Sequence, residues 1–189
     1  MSIEHWLAFV AASAILLVIP GPTILTVIGY SVAHGRSAKL PLVVAVALGD
    51  TTSLAVSLLG LGALLAASAF WFTVVKWVGG VYLLFMGTRL LRAGLSTDAP
   101  AVLAASGTRW RLFVNTYLVT ALNPKGIVFF VAFLPQFIDP HGDAALQLWL
   151  LGVSFVALAI VNASVYAVCA TAARRLLSSP RARMRFNLA

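Results

Sequence analysis

Long stretches without a charged residue dominate the chain, broken by short polar segments at regular intervals. No charged residue lies between His5 and His34, which predicts a first membrane span from about Trp6 to Tyr30. The polar segment His34-Gly35-Arg36-Ser37-Ala38-Lys39 ends it. A second span follows from about Leu40 to Ala66, interrupted only by Asp50. A bend near Ala67–Trp71 leads to a third, about Phe72 to Leu91. The stretch from Arg92 to Arg111, with Gly94, Ser96, Asp98, Pro100, Ser106 and Gly107, reads as a linker. The fourth span is about Leu112 to Phe137, interrupted by Asn123-Pro124-Lys125. A loop carrying Asp139, Pro140, Gly142 and Asp143 precedes the fifth, about Ala144 to Ala173, and a basic tail runs to Ala189. A spanning helix needs roughly 20 apolar residues. These runs lack the period-two alternation of barrel strands, so they read as helices.

Composition agrees with this pattern: 61% of the 189 residues are hydrophobic and 10% are charged. A soluble domain carries about 25% charged residues, so the partner of this surface is a lipid bilayer. The net charge of +8 would suggest nucleic acid in a soluble protein. Here it follows from the rule that cytoplasmic loops collect Lys and Arg. All basic residues except Lys76 and Lys125 fall on one side of an alternating topology: Arg36 and Lys39, then Arg89, Arg92, Arg109 and Arg111, then Arg174, Arg175, Arg181, Arg183 and Arg185. Glu4, Asp139 and Asp143 fall on the other. The basic side is expected to be cytoplasmic and the N-terminus outside. Trp6, Trp71, Trp110 and Trp149 sit near span ends, as interfacial anchors do. Glu4 and the absence of an early Lys or Arg make the N-terminus a poor secretory signal, so it reads as a retained first helix. Lys76 reads as interfacial, and His5, His34 and His141 as solvated loop or span-end residues.

Five features break the apolar runs. In Ile19-Pro20-Gly21-Pro22-Thr23, two prolines remove backbone donors and strand the carbonyls one turn earlier. In lipid such groups must be satisfied by protein or cavity water, so the motif reads as a discontinuous helix beside a solute, against the plainer reading of a proline kink. Asn123-Pro124-Lys125 breaks the fourth span and sets a cation deep in it, a placement costing at least about 2.5–3.5 kcal/mol. Asp50 is the only acid inside a span. It suits a coupling proton, a solute ammonium or an ion pair with Lys125, and a structural contact is the alternative. Asn162 offers an amide in the fifth span, either to the solute or to a neighbouring helix. The row Ala45, Gly49, Ser53 and Ser57 reads as a packing face.

Two proline-broken helices three spans apart imply an inverted repeat, with the solute site at the midplane between the breaks. One domain, 1–189, then divides into halves at about 1–94 and 109–189. The second half has only two spans. Symmetry predicts a third, giving a six-helix inverted 3+3 plan of which this chain holds five transmembrane helices.

Ordered blocks of the sequence resemble the LysE/RhtB family of amino-acid exporters. They are Ile19-Pro20-Gly21-Pro22, His34-Gly35-Arg36, Ala47-Leu48-Gly49-Asp50, Lys76-Trp77-Val78-Gly79 with Tyr82-Leu83 and Gly87, and above all Leu122-Asn123-Pro124-Lys125 through Phe133-Leu134-Pro135-Gln136-Phe137. The likeness covers nearly the whole chain. It implies a small secondary exporter of six helices, acting on lysine, homoserine, threonine or leucine-type solutes. Two departures stand out. Relatives usually end in a further hydrophobic helix, and Thr116 stands where many carry glycine.

The expectation is therefore an all-α integral membrane protein of the bacterial inner membrane. It would export a small zwitterionic solute, such as an amino acid, coupled to protons or to the membrane potential. The site residues would be Pro20, Gly21, Pro22, Asp50, Asn123, Pro124, Lys125 and Asn162. No cofactor, metal or nucleic acid is expected, and a homo-oligomer is left open. Cys169, the single cysteine, excludes a paired-cysteine thiol relay. No Ser/His or paired-Asp set within the spans supports a hydrolase. A channel or a non-transport membrane protein of the same superfamily is the remaining alternative, and non-saturable flux distinguishes the channel.

Overall fold

The computed structural model describes residues 1–93 and 108–177. All regular structure among them is helical. The linker residues from Gly94 to Gly107 and the tail residues Arg181, Arg183 and Arg185 lie outside the described residues.

The first span forms as two helices, α1 (Ile3–Val18) and α2 (Pro22–His34). Ser2 caps α1 by accepting the His5 N–H at 3.3 Å, and Glu4 lies in the first turn, where a negative charge meets the positive end of the helix dipole. Pro20 stops α1. The residue before a proline is pushed out of helical geometry, and Ile19 is extended, with φ −67° and ψ 113°. Pro22 then opens α2 at a position where no N–H is needed.

A 3₁₀ turn, Gly35–Ala38, starts at Gly35 with φ 67°. Side chains rarely adopt this conformation, and an added Cβ would also meet Arg174 at 3.1 Å. The chain then climbs through α3 (Lys39–Ala67) and turns at Ser68 into α4 (Ala69–Ala93). This turn is tighter than the predicted bend, because apolar residues on both sides prolong the helices. α5 (Arg109–Ala121) begins on a Thr108 cap and ends at Leu122. The predicted fourth span continues as α6 (Pro124–Val128), a π turn (Phe129–Phe133) and a 3₁₀ turn (Leu134–Phe137). Pro135 contributes to this irregularity, since it cannot donate to the helix ladder. The Leu134 N–H reaches back to the Phe129 carbonyl, and the Gln136 side chain donates to the Ala132 carbonyl at 2.8 Å. The last described helix is α7 (Ala144–Leu177).

Cross-contacts fix the directions of travel. Trp6 donates to Ser154 at 3.0 Å and Asn162 to the Leu17 carbonyl at 3.0 Å, so α1 and α7 run side by side in the same direction. Gly35 lies against Arg174, and Leu54 against Gly152. The chain therefore follows α7 to its end, turns at Gly35 and returns along it as α3. Tyr30 accepts from Asn115, and Thr23 from Asn123, so α2 and α5 are antiparallel. One end of the bundle thus gathers Arg36, Lys39, Arg109, Arg111 and Arg174. The other carries Met1, Asp139, His141 and Asp143. Trp71, Trp110 and Trp149 are exposed, but Trp6 is half-buried and tied to Ser154. It is a helix-packing residue as well as an end residue.

At the acidic end, Asp139 and Gln147 clasp the loop. The Asp139 N–H donates to Gln147 Oε1 at 2.8 Å, and Gln147 Nε2 donates back to the Asp139 carbonyl at 3.0 Å. The Met1 ammonium stands 3.7 Å from the Asp139 carboxylate. The His141 backbone N–H donates to the same group and holds its pKa below the usual carboxylate value. At the other end His34 is half-buried and packs edge-on to Tyr30, so it is not the solvated residue expected of a loop. Lys76 is half-buried on α4.

The core follows small residues and phenylalanines. Ala45, Gly49, Ser53 and Ser57 are all buried along α3. A Cβ at Gly49 would come within 2.7 Å of Thr120 on α5, so glycine sets that close approach. Gly79 does the same for α4, where a Cβ would meet Ala132 at 2.6 Å. Toward the acidic end the core is aromatic: Phe9 packs on Phe129 and Phe137, and Phe129 on Phe133 and Phe155. Outward faces are apolar, with Ile15, Val56, Leu59, Trp77, Leu84 and Leu146 exposed. Such a surface suits hydrocarbon, not water. By length and composition, Pro22–Gly60 (α2 and the start of α3, joined through the turn at Gly35), Arg109–Phe137 and Ala144–Arg174 are long and apolar enough to cross a membrane, while Ile3–Val18 and Thr73–Phe85 are shorter apolar helices.

Candidate functional site

The two broken helices meet at their breaks. Before Pro124, Asn123 takes φ −69° and ψ 111°, nearly the geometry of Ile19 before Pro20. Its side chain works in two directions. Oδ1 accepts the Lys125 N–H at 3.1 Å and caps α6, while Nδ2 donates to Thr23 Oγ1 at 3.1 Å. Lys125, only 9% exposed, sends its ammonium to the Ile19 carbonyl at 2.6 Å.

The end of α1 leaves a set of carbonyls that the prolines deprive of helical donors. Side chains from other helices reach three of them. Asn162 donates to the Leu17 carbonyl, the Tyr166 hydroxyl to the Val18 carbonyl at 2.7 Å, and Lys125 to the Ile19 carbonyl. Buried backbone groups need such partners, above all in lipid. At the start of α2 the Leu25 N–H bonds to the Gly21 carbonyl. The Thr23 and Ile24 N–H groups have no partner among the described residues.

These groups border one cavity of about 30 Å³, room for about two water molecules. Its polar wall comprises Thr23, Asp50, Asn123, Lys125 and Asn162, and Gly21 lines it as backbone. Its apolar wall includes Leu16, Ile24, Val46, Phe155 and Ala159. Asp50 is 7% exposed, and no hydrogen-bond donor reaches its carboxylate from the described residues. Asp50 and Lys125 share the cavity without forming an ion pair within contact distance; the lysine is bonded to Ile19 instead. An ammonium has three donors, so two remain for the cavity. No group of three or more metal-ligating side chains occurs among the described residues.

Of the eight residues singled out from the sequence, Gly21, Asp50, Asn123, Lys125 and Asn162 line the cavity. Pro20, Pro22 and Pro124 do not; they shape the breaks, and Pro22 and Pro124 are exposed. Asn162 lines the cavity and also bonds a neighbouring helix through the Leu17 carbonyl. The sequence did not single out Tyr166, Phe155 and Ala159, and it marked Thr23 only as the end of the Pro-Gly-Pro motif. Tyr166 had a signal, since it stands one turn from Asn162 on the same helix face. Thr23 directly follows the Pro-Gly-Pro break. Phe155 and Ala159 gave none, being apolar residues in an apolar run.

The family model described as LysE type translocator matches residues 14–188. The homoserine/homoserine lactone efflux protein of Salmonella typhimurium is 30% identical over all of this chain and 91% of its own length. An uncharacterized membrane protein of Vibrio cholerae is 30% identical over 99% of this chain and 91% of its own. The leucine efflux protein of Salmonella choleraesuis is 31% identical over 83% of this chain and 71% of its own. No solved structure matches. An all-helical chain with apolar outer faces, matched from end to end in this way, belongs to the LysE type translocator family of membrane proteins.

Proposed function

We propose that this chain is a secondary transporter that exports a small amino acid across the bacterial inner membrane, driven by protons or by the membrane potential. The observation that carries the reading is the cavity between the two helix breaks, where a buried acid, without a hydrogen-bond donor among the described residues, shares the lining with a buried ammonium. A zwitterion needs both signs of partner. Its carboxylate would take the spare donors of Lys125 and the free N–H groups of Thr23 and Ile24, where the positive end of α2 points. Its ammonium would take Asp50, and a proton on Asp50 would replace the ammonium after release. The efflux activities named for two relatives agree with this solute class and direction.

The cavity is too small for an amino acid as it stands, so transport requires the breaks to part. The aromatic cluster from Phe155 to Phe137 closes the acidic end, and opening it would release solute outward. The halves at about 1–94 and 109–189 would act as inverted repeats. In support, the two broken elements run in opposite directions and cross break to break. The charge asymmetry of the two ends supports an outside N-terminus and a cytoplasmic basic end. Cysteines at Ser37 and Asp139 in a Cys169→Ser background test that orientation. An impermeant external reagent should label only position 139 in intact cells, and labelling of position 37 would reverse it.

The test of function is efflux from proteoliposomes loaded with a panel of amino acids, with and without a pH gradient. Saturable, gradient-dependent efflux is expected. Flux linear in concentration would establish the channel reading, and flux no higher than in protein-free vesicles would refute amino-acid export.

A further inference from the structure

The cavity is asymmetric, and its apolar wall carries information that the charged wall does not. α7 presents Phe155, Ala159 and Asn162 to the cavity along one stripe. Phe155 is 1% exposed, and its ring is held edge-on by Phe130 at 4.7 Å and tilted against Phe129 at 5.5 Å. Phe130 is itself fully buried, so the Phe155 ring cannot swing aside without repacking the aromatic cluster. One turn further on, Ala159 is 1% exposed and lines the cavity with a single methyl group. Asn162 ends the stripe and is fixed to the Leu17 carbonyl. Across from α7, Val46 stands one turn from Asp50 on α3, and Leu16 closes the side.

We propose that Phe155 and Ala159 set the size of the solute's side chain, and that the solute is an amino acid whose side chain is short and uncharged. The inference rests on the export reading above and deepens it. Charge sets the first limit. The lining holds one acid, Asp50, and one base, Lys125, and the zwitterion's own ammonium and carboxylate use both. A third charge, such as the ammonium of a lysine side chain, finds no second acid in this lining: Thr23, Asn123 and Asn162 are uncharged, and Leu16, Ile24, Val46, Phe155 and Ala159 are apolar, so it would stay unpaired, which is strongly disfavoured. Space sets the second limit. The cavity of about 30 Å³ must grow to admit even the smallest amino acid, and with Phe155 braced the wall at the small side chain of Ala159 is where a solute side chain would find room.

The test compares the wild type with Phe155→Leu, Ala159→Gly and Ala159→Val in proteoliposomes, measuring kcat/KM for alanine, valine, leucine, phenylalanine and lysine. The wild type should favour alanine and valine over phenylalanine and should not carry lysine. One methylene in a fitted pocket is worth roughly 10- to 200-fold. Phe155→Leu and Ala159→Gly should therefore raise the leucine-to-alanine ratio at least about 10-fold, and Ala159→Val should lower it by a similar factor. Ala159→Gly keeps the enlarging direction available should Phe155→Leu fail to fold. Unchanged ratios in the folded variants, or wild-type lysine transport matching that of valine, would overturn the inference while leaving export intact. A wild type that carries no amino acid would overturn the export reading, and this inference with it.

Discussion

Replacing Gly21 with alanine adds one methyl group to the cavity wall and leaves the packing around it intact. The Gly21 backbone is extended, with φ −114° and ψ −171°, a conformation open to any residue. A Cβ there would meet Lys125 Cδ at 3.4 Å and Nζ at 3.7 Å, ordinary contact distances. The fold loses nothing, and removing glycine's freedom in the unfolded chain favours it by about 0.4–1 kcal/mol. The cavity, however, measures about 30 Å³, and the methyl group occupies much of it, next to the ammonium proposed to receive the solute's carboxylate. A misfit of one methyl in a fitted site costs roughly 10- to 200-fold in kcat/KM. Gly21→Ala should therefore unfold in detergent at the wild-type temperature or slightly above, while amino-acid efflux from proteoliposomes falls at least about 10-fold. Wild-type efflux from the folded variant would mean that the solute does not pass Gly21. A drop in unfolding temperature alongside the loss of efflux would make the glycine structural and refute the reasoning.

Gly49→Ala forces the α3–α5 contact to open from 2.7 Å toward ordinary contact; overpacking of this kind costs about 1–3 kcal/mol, so an unchanged unfolding temperature in detergent would contradict it. Tyr166→Phe strips the donor from the Val18 carbonyl, bonded at 2.7 Å, whose helical donor Pro22 cannot supply. A stranded carbonyl costs about 1–3 kcal/mol, and amide hydrogen exchange should quicken around residues 15–25 while staying unchanged at the Gln147 loop. The Asp139 carboxyl is held below its ordinary 3.8, so its contribution is present above that value and is lost only as pH falls through the lowered pKa. The His141 N–H bond to that carboxylate should hold through neutral and mildly acidic pH; rapid exchange of the His141 amide already at about pH 5–6 would disprove it.

Much of the architecture was legible because hydrocarbon imposes simple rules. Charge-free runs marked the spans, and proline marked where they break. Ile19 and Asn123 adopt the same extended geometry for the same reason, each preceding a proline. Asp50 and Lys125 were visible as charges where none is tolerated without a reason. What could not be read was who meets whom. An ion pair between Asp50 and Lys125 was a natural expectation from depth alone. The carbonyl that Pro20 and Pro22 expose at Ile19 takes the lysine instead, and a backbone acceptor leaves no trace in a sequence. The π turn at Phe129–Phe133 was equally hidden, since Pro135 signals a disruption but not its form. Phe155 and Ala159 look like any other apolar residues in α7; only the fold turns them toward the cavity.

The central claim is that Asp50, which lines the cavity with Lys125 and has no hydrogen-bond donor among the described residues, meets the solute ammonium or the coupling proton. The most direct measurement is amino-acid efflux by Asp50→Asn in proteoliposomes under an imposed pH gradient. Asparagine keeps the shape of aspartate and removes its charge and its titration, so the variant should purify folded, and its gradient-driven efflux should fall to the level of protein-free vesicles. Coupled efflux at the wild-type rate from folded Asp50→Asn protein would contradict the account and leave Asp50 a structural residue.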